Sequence, residues 1–157
     1  MELPPRTPLP AGPVPTLDEL CRRAAVRVGS PVALVSLVDE EGQALPGAYG
    51  LAEPWYTERW TPLTHSFCQH VVTSEEPFVV MNAHDDPLVS KNLAIMDLGV
   101  IAYAGVPLRA GEDGVVVGAL CAIDHMPRSW SEEQVQELRT LSSEVTHELG
   151  LLIKQQG

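Results

Sequence analysis

The spacing of hydrophobic positions changes several times along the chain, and each change marks an element. Leu17, Leu20, Cys21, Ala24 and Val28 share one face at helical spacing. Thr16 and Glu19 have capping-box spacing, Gly29 suits a helix stop, and Pro31 forbids continuation. Pro31 to Asp39 reads PVALVSLVD, β-branched and apolar on both sides, which predicts a central strand. Glu40-Glu41-Gly42 is a turn, and Gln43 to Leu51 returns as the second arm of a hairpin. Residues 52–64 form a long connection holding Pro54, Trp55, Trp60 and Pro62. A short helix is expected over His65–Thr73, capped by Thr64 or Ser66, then a short strand over Pro77–Met81. Residues 82–97 read as irregular, with one helical turn over Leu93–Asp97. Gly99–Leu108 and Val115–Ile123 are strands joined by a turn at Gly111–Gly114. The last element is a long helix in which Val135, Leu138, Leu141, Val145, Leu149 and Leu152 form a stripe. It opens on a Ser131/Gln134 capping box, with Glu132 and Glu133 where the helix dipole favours negative charge.

Strands joined by tight turns pair antiparallel, and the two amphipathic terminal helices must cover one face of the resulting sheet. The long middle segments are left for the other face. The fold class is therefore α+β. Proline at positions 4, 5, 8, 10, 13 and 15 gives residues 1–15 the character of an unpacked, disordered arm, with one domain over 16–157.

Charge narrows the partners. Ten Lys and Arg stand against 21 Asp and Glu, a net −11. Phosphate backbones and anionic membranes repel such a surface, so neither nucleic acid nor membrane is an expected partner. No stretch approaches the length of a membrane span, and the N-terminus lacks the apolar run of a signal peptide. Cys21, Cys68 and Cys121 are odd in number and widely spaced, which gives no disulfide framework and suits a reducing cytoplasm.

Four segments in order carry a resemblance: VALVSLVDEEGQ at 32–43, SFCQHVVTSEEPFVVMNAHDDP at 66–87, YAGVPLRAGEDG at 103–114 and VGALCAIDHMPRSWSEEQ at 117–134. Together they resemble the GAF domain of bacterial signalling proteins, over roughly residues 16–153. The resemblance implies an antiparallel sheet of five or six strands, terminal helices on one face and a small-molecule pocket on the other. It also implies a role: relatives sense cyclic nucleotides, bilins, haem, metabolites or redox state, or act as dimerising spacers. Fold does not choose among these.

The residues decide against several of them. Bilin-binding relatives place a Cys-His pair eight residues ahead of a Met-Gly-Val-like triplet. Here the triplet is Leu98-Gly99-Val100, and counting back reaches Ser90-Lys91, with no thiol. The cyclic-nucleotide motif Asn-Lys…Phe…Asp-Glu is represented only by Lys91 and Asp97, with Leu98 after the Asp. A reductase of the free methionine sulfoxide type needs a reactive thiolate and a resolving thiol. Cys68 and Cys121 are the candidates, although Cys121, mid-strand in an apolar run, is expected to be inert. His65 and Cys68 share a helical face while His70 points away, so a zinc set is not completed. Asp85-Asp86-Pro87 reads as a turn, and Asp124 and Arg128 as the closure of the turn before the last helix.

The expected function is a sensory domain that binds a small molecule over the sheet, without catalytic residues of its own. The cofactor is left unidentified. Phe67, Cys68, Met96, Tyr103 and Trp55 are the expected lining. The alternatives are a ligand-free homodimerising module and the thiol enzyme. A homodimer would pair the terminal helices through Leu138, Leu141, Val145 and Leu152.

Overall fold

The strand that is apolar on both faces, β1 (Val32–Asp39), sits inside a six-stranded antiparallel sheet. The other strands are β2 (Gly42–Tyr49), β3 (Trp60–Thr61), β4 (Phe78–Val80), β5 (Ala102–Ala110) and β6 (Val115–Asp124), in the order β3-β2-β1-β6-β5-β4. This computed structural model describes residues 12–110 and 114–156, with side chains to 152. The helices are α1 (Pro15–Val28), α2 (Trp55–Glu58), α3 (Cys68–Ser74), α4 (Ala94–Leu98) and α5 (Glu132–Gln156), with 3₁₀ turns at Leu63–His65 and Ala83–Asp85.

The pleat divides the core into two. Val32, Leu34 and Val38 of β1 face one side with Cys121 and Ile123 of β6 and Tyr103 of β5. Ala33, Val35 and Leu37 face the other, with Leu120 and Ala122 of β6 and Val106 and Leu108 of β5. This second face is covered by α1 and α5, as the two terminal apolar stripes require. The first is covered by α3, α4 and the irregular residues between 82 and 101.

Several expectations are corrected. Leu138, Leu141 and Val145 are fully buried within the single chain, against α1 and the sheet, and Leu152 packs on the same cluster. Leu138, Leu141 and Val145 are thus spent as intramolecular core, and Leu152 is partly buried. The outer faces of the two helices are instead laced by charge: Arg23 bonds Glu144 and Arg27 bonds Glu137 across them. No capping box forms at Thr16. The helix starts one residue earlier at Pro15, where a missing N–H costs nothing, and Val14 donates its N–H to the Pro46 carbonyl at 2.8 Å. Val14 is thus tied to β2, while residues 1–11 of the expected arm and residues 111–113 of the expected turn lie outside the described residues. The middle helix begins at Cys68 rather than His65, so His65 and Cys68 do not share a helical face. Gly99 does not start a strand; it ends α4 at φ 68°, and β5 begins at Ala102.

Other readings hold. Ser131 and Gln134 close their capping box in both directions, at 2.8 and 3.1 Å. Arg128 pairs with Asp124 at 3.6 Å, donates to the carbonyls of Val28 and Gly29, and lies over the Trp130 ring. Asp86 accepts the Leu88 N–H within its turn.

Candidate functional site

Three groups of polar side chains lie on the sheet face opposite the terminal helices. From β2, Gln43 is buried, and its Oε1 accepts from the hydroxyls of Ser36 at 2.7 Å and Ser66 at 2.8 Å. Its Nε2 donates to Thr61 Oγ1 at 3.1 Å. Ser66 in turn accepts the Gln69 N–H at 3.2 Å, which joins the first turn of α3 to this network, although the N-cap of α3 is Phe67 and not Ser66. Among the described residues no buried side-chain nitrogen or oxygen lacks a partner. A fully satisfied buried network of this kind fixes one arrangement of the strands and the helix.

His65 comes from the 3₁₀ turn before α3. Its Nε2 is 2.7 Å from Asp97 Oδ2 on α4, its Nδ1 is 3.0 Å from Thr64 Oγ1, and its ring lies 5.5 Å from the Trp55 ring. The Asp97 contact ties the covering segment to the turn. That segment is also held by Leu93 N–H to Thr64 O, Asn92 Nδ2 to Ser66 O and Ala83 N–H to Ile101 O, and by Ala83, Val89, Ala94 and Ile95 packed into the core. Gly99 permits the chain to turn into β5, and the His125 ring packs where a Gly99 side chain would stand, with Nδ1 2.8 Å from the Gly99 carbonyl.

Cys68, Cys121 and Tyr103 form the third group. The β5–β6 register sets Gly105 beside Cys121. Tyr103, two residues away on the same face, lays its ring over Gly105, where a side chain would collide with the phenol. Its hydroxyl then donates to Cys68 Sγ at 3.0 Å, and Cys68 Sγ is 3.8 Å from Cys121 Sγ. Burial disfavours a thiolate at Cys68, but hydrogen bonds from Cys121, Tyr103 and Ser36 offset it, and its pKa falls below the ordinary thiol value. Burial pushes Cys121 and Tyr103 well up, and the Cys68 sulfur adds to both shifts.

These groups meet at a cavity of about 20 Å³. Gln43, His65, Cys68, Tyr103 and Cys121 supply its polar lining, and Leu34, Phe67, Ala94, Leu98, Val100 and Ile123 its apolar walls. That is room for about one water molecule. The far larger groove between Glu75, Arg109 and Arg139, about 930 Å³, is open to solvent and gathers no buried polar groups, so it is the weaker candidate. Of the expected lining residues, Phe67, Cys68 and Tyr103 come together. Trp55 lies behind His65, and Met96 is 85% exposed and does not reach the cavity. Nothing in the sequence marked the roles of Gln43 and Ser36, and Ser66 was marked only as a helix cap. For Ser36 and Gln43 the signal was a polar residue inside a buried strand, which becomes informative only when the strands are paired. Among the described residues no three His, Cys, Asp or Glu side chains converge as a metal set. His70 is spent against the Phe78 ring, and burial lowers its pKa while Asp86 opposes the shift.

The GAF domain family matches residues 13–149, and the chain belongs to that family. It is 32% identical over 112 residues to a cyclic di-GMP phosphodiesterase of Pseudomonas aeruginosa, a match covering 71% of this chain but 18% of that protein. The GAF domain of an Acinetobacter phosphoenolpyruvate-protein phosphotransferase superposes with a TM-score of 0.67 at 20% identity, over 85% of this chain and 79% of that one. The free methionine-R-sulfoxide reductase of Neisseria meningitidis, solved with its substrate, gives 0.67 at 17% identity, over 91% and 80% of the two chains. At these identities the two superpositions speak for the fold alone. Among the described residues no helix is long and apolar enough to cross a membrane.

Proposed function

We propose that this chain is a regulatory domain that recognises a small molecule at the cavity between α3, α4 and the sheet. The observation that carries the reading is the convergence of five polar side chains on a small space covered by the irregular segment 82–99. A cavity of about 20 Å³ takes nothing larger than water as it stands, so a metabolite enters only when residues 82–99 lift. His65–Asp97 is the tie that must yield, and the position of α4 would then report occupancy. The Pseudomonas relative, a cyclic di-GMP phosphodiesterase, supports a signalling setting. The net −11 disfavours a polyanionic ligand.

Hydrogen exchange of the purified protein tests this. Amides of 85–99 should exchange at least about tenfold faster than those of β1, by local opening. Native mass spectrometry of the same sample should show any co-purified ligand as mass lost on denaturation. Equal protection in the segment and in β1, with no added mass, would remove the reading.

The 3.8 Å Sγ–Sγ approach favours a second reading, a thiol reductase. It requires that free methionine-R-sulfoxide, supplied with dithiothreitol, be turned over. A regulatory domain leaves it unreduced above the blank.

A further inference from the structure

Two thiols from distant parts of the chain face each other beneath the cover. Cys68 stands at the start of α3 and Cys121 in the middle of β6, both buried, with Sγ atoms 3.8 Å apart. The Tyr103 hydroxyl donates to the Cys68 sulfur at 3.0 Å, and the cavity of about 20 Å³ opens onto both sulfurs. We propose that Cys68 and Cys121 are a peroxide-responsive dithiol that closes reversibly to an intramolecular disulfide.

The chemistry balances. The Cys68 thiolate attacks one oxygen of hydrogen peroxide, the O–O bond breaks, and the departing hydroxide takes up the proton that Cys68 released, leaving water and a sulfenic acid. The Cys121 sulfur then attacks Cys68 Sγ. The S–O bond breaks, and the second hydroxide leaves as water with the Cys121 proton. Two thiols lose two hydrogens, and one peroxide becomes two waters. The roles follow from the surroundings. Cys68 accepts the Tyr103 hydrogen bond, which favours its thiolate, so it is the nucleophile. Cys121, held between β1 and β5, is the resolving thiol. From 3.8 Å to a bond of about 2.05 Å the sulfurs must approach by about 1.8 Å. The first turn of a seven-residue helix can supply that more readily than a central strand, so the motion falls on α3.

Size and charge select the oxidant. Hydrogen peroxide, neutral and little larger than water, needs only a slight displacement of the cover to reach the two sulfurs. A bulky anionic disulfide must lift the cover and approach a protein of net −11. Cys21 is buried in the core on the other face of the sheet and is an internal control.

The full chain, reduced and freed of reductant, is exposed to hydrogen peroxide or, separately, to oxidised glutathione, then denatured with free thiols blocked and peptide-mapped without reduction. Peroxide should yield a chain lighter by about 2 Da with a Cys68–Cys121 cross-linked peptide, Cys21 blocked as a free thiol, and full reversal by dithiothreitol. Oxidised glutathione should form the same link at least about tenfold more slowly. Any of four results would overturn the proposal: Cys68 and Cys121 both remaining free, over-oxidation of Cys68 without a cross-link, a link through Cys21, or glutathione acting as fast as peroxide.

Discussion

Arg59 shows how much a single side chain can carry without announcing itself in a sequence. It lies at the end of α2 with φ 54° and is 2% exposed. Its guanidinium bonds both carboxylate oxygens of Asp18, at 3.0 and 3.3 Å, and the Leu45 carbonyl, and it lies 4.5 Å from the Tyr56 ring centroid. Asp18 also accepts the Ala48 N–H, so one pair joins α1, β2 and the 52–64 connection. Breaking a buried pair from one side leaves the other charge stranded. Arg59→Met should therefore destabilise the fold by about 2–3 kcal/mol, less than a fully buried pair because Asp18 keeps some contact with water. Urea unfolding measures it; a change under about 0.5 kcal/mol would mean the pair is replaceable. In the sequence Arg59 is one charge among several in a connection, and nothing local distinguishes it. By contrast, Asp124 and Arg128 were legible, because four residues across a turn leave little freedom in how they meet.

At the level of elements, local chemistry and tertiary demand agree in some places and compete in others. Ser131 and Gln134 meet within one turn, so sequence spacing alone fixes their two hydrogen bonds. Ser131→Ala should cost about 1 kcal/mol, read as a lower midpoint in thermal or urea unfolding with the cooperativity unchanged. An unaltered midpoint would mean that tertiary packing, not the cap, starts α5. Thr16 and Glu19 offered the same spacing at α1, yet Val14 is drawn onto β2 and the helix begins earlier. The middle segment goes further. Ser66 serves the Gln43 network and the first turn of α3 at once, and that double bond shortens the expected helix at its N-terminus.

For the whole molecule, the deciding quantity is which surfaces face each other. The α5 stripe could have met a second copy or its own sheet, and it meets the sheet and α1. Leu138→Asp should then abolish cooperative folding rather than yield a folded monomer, because a carboxylate would be buried with no partner. Far-ultraviolet circular dichroism with gel filtration reads the result. A soluble, folded Leu138→Asp protein would show the stripe to be exposed after all. The sequence by itself determined the alternation of helical and strand periods, the central place of β1, the antiparallel sheet, the capping box of α5 and the acidic surface. Each depends on neighbours close in the chain or on composition, where spacing dictates geometry. Only the tertiary structure decided that Cys68, Tyr103 and Cys121 touch, that Gln43 gathers Ser36, Ser66 and Thr61, that Met96 faces away, and that Arg59 is buried. Those outcomes depend on strand register and on which loop folds over which sheet face, and contacts made between separate elements leave no local pattern to read.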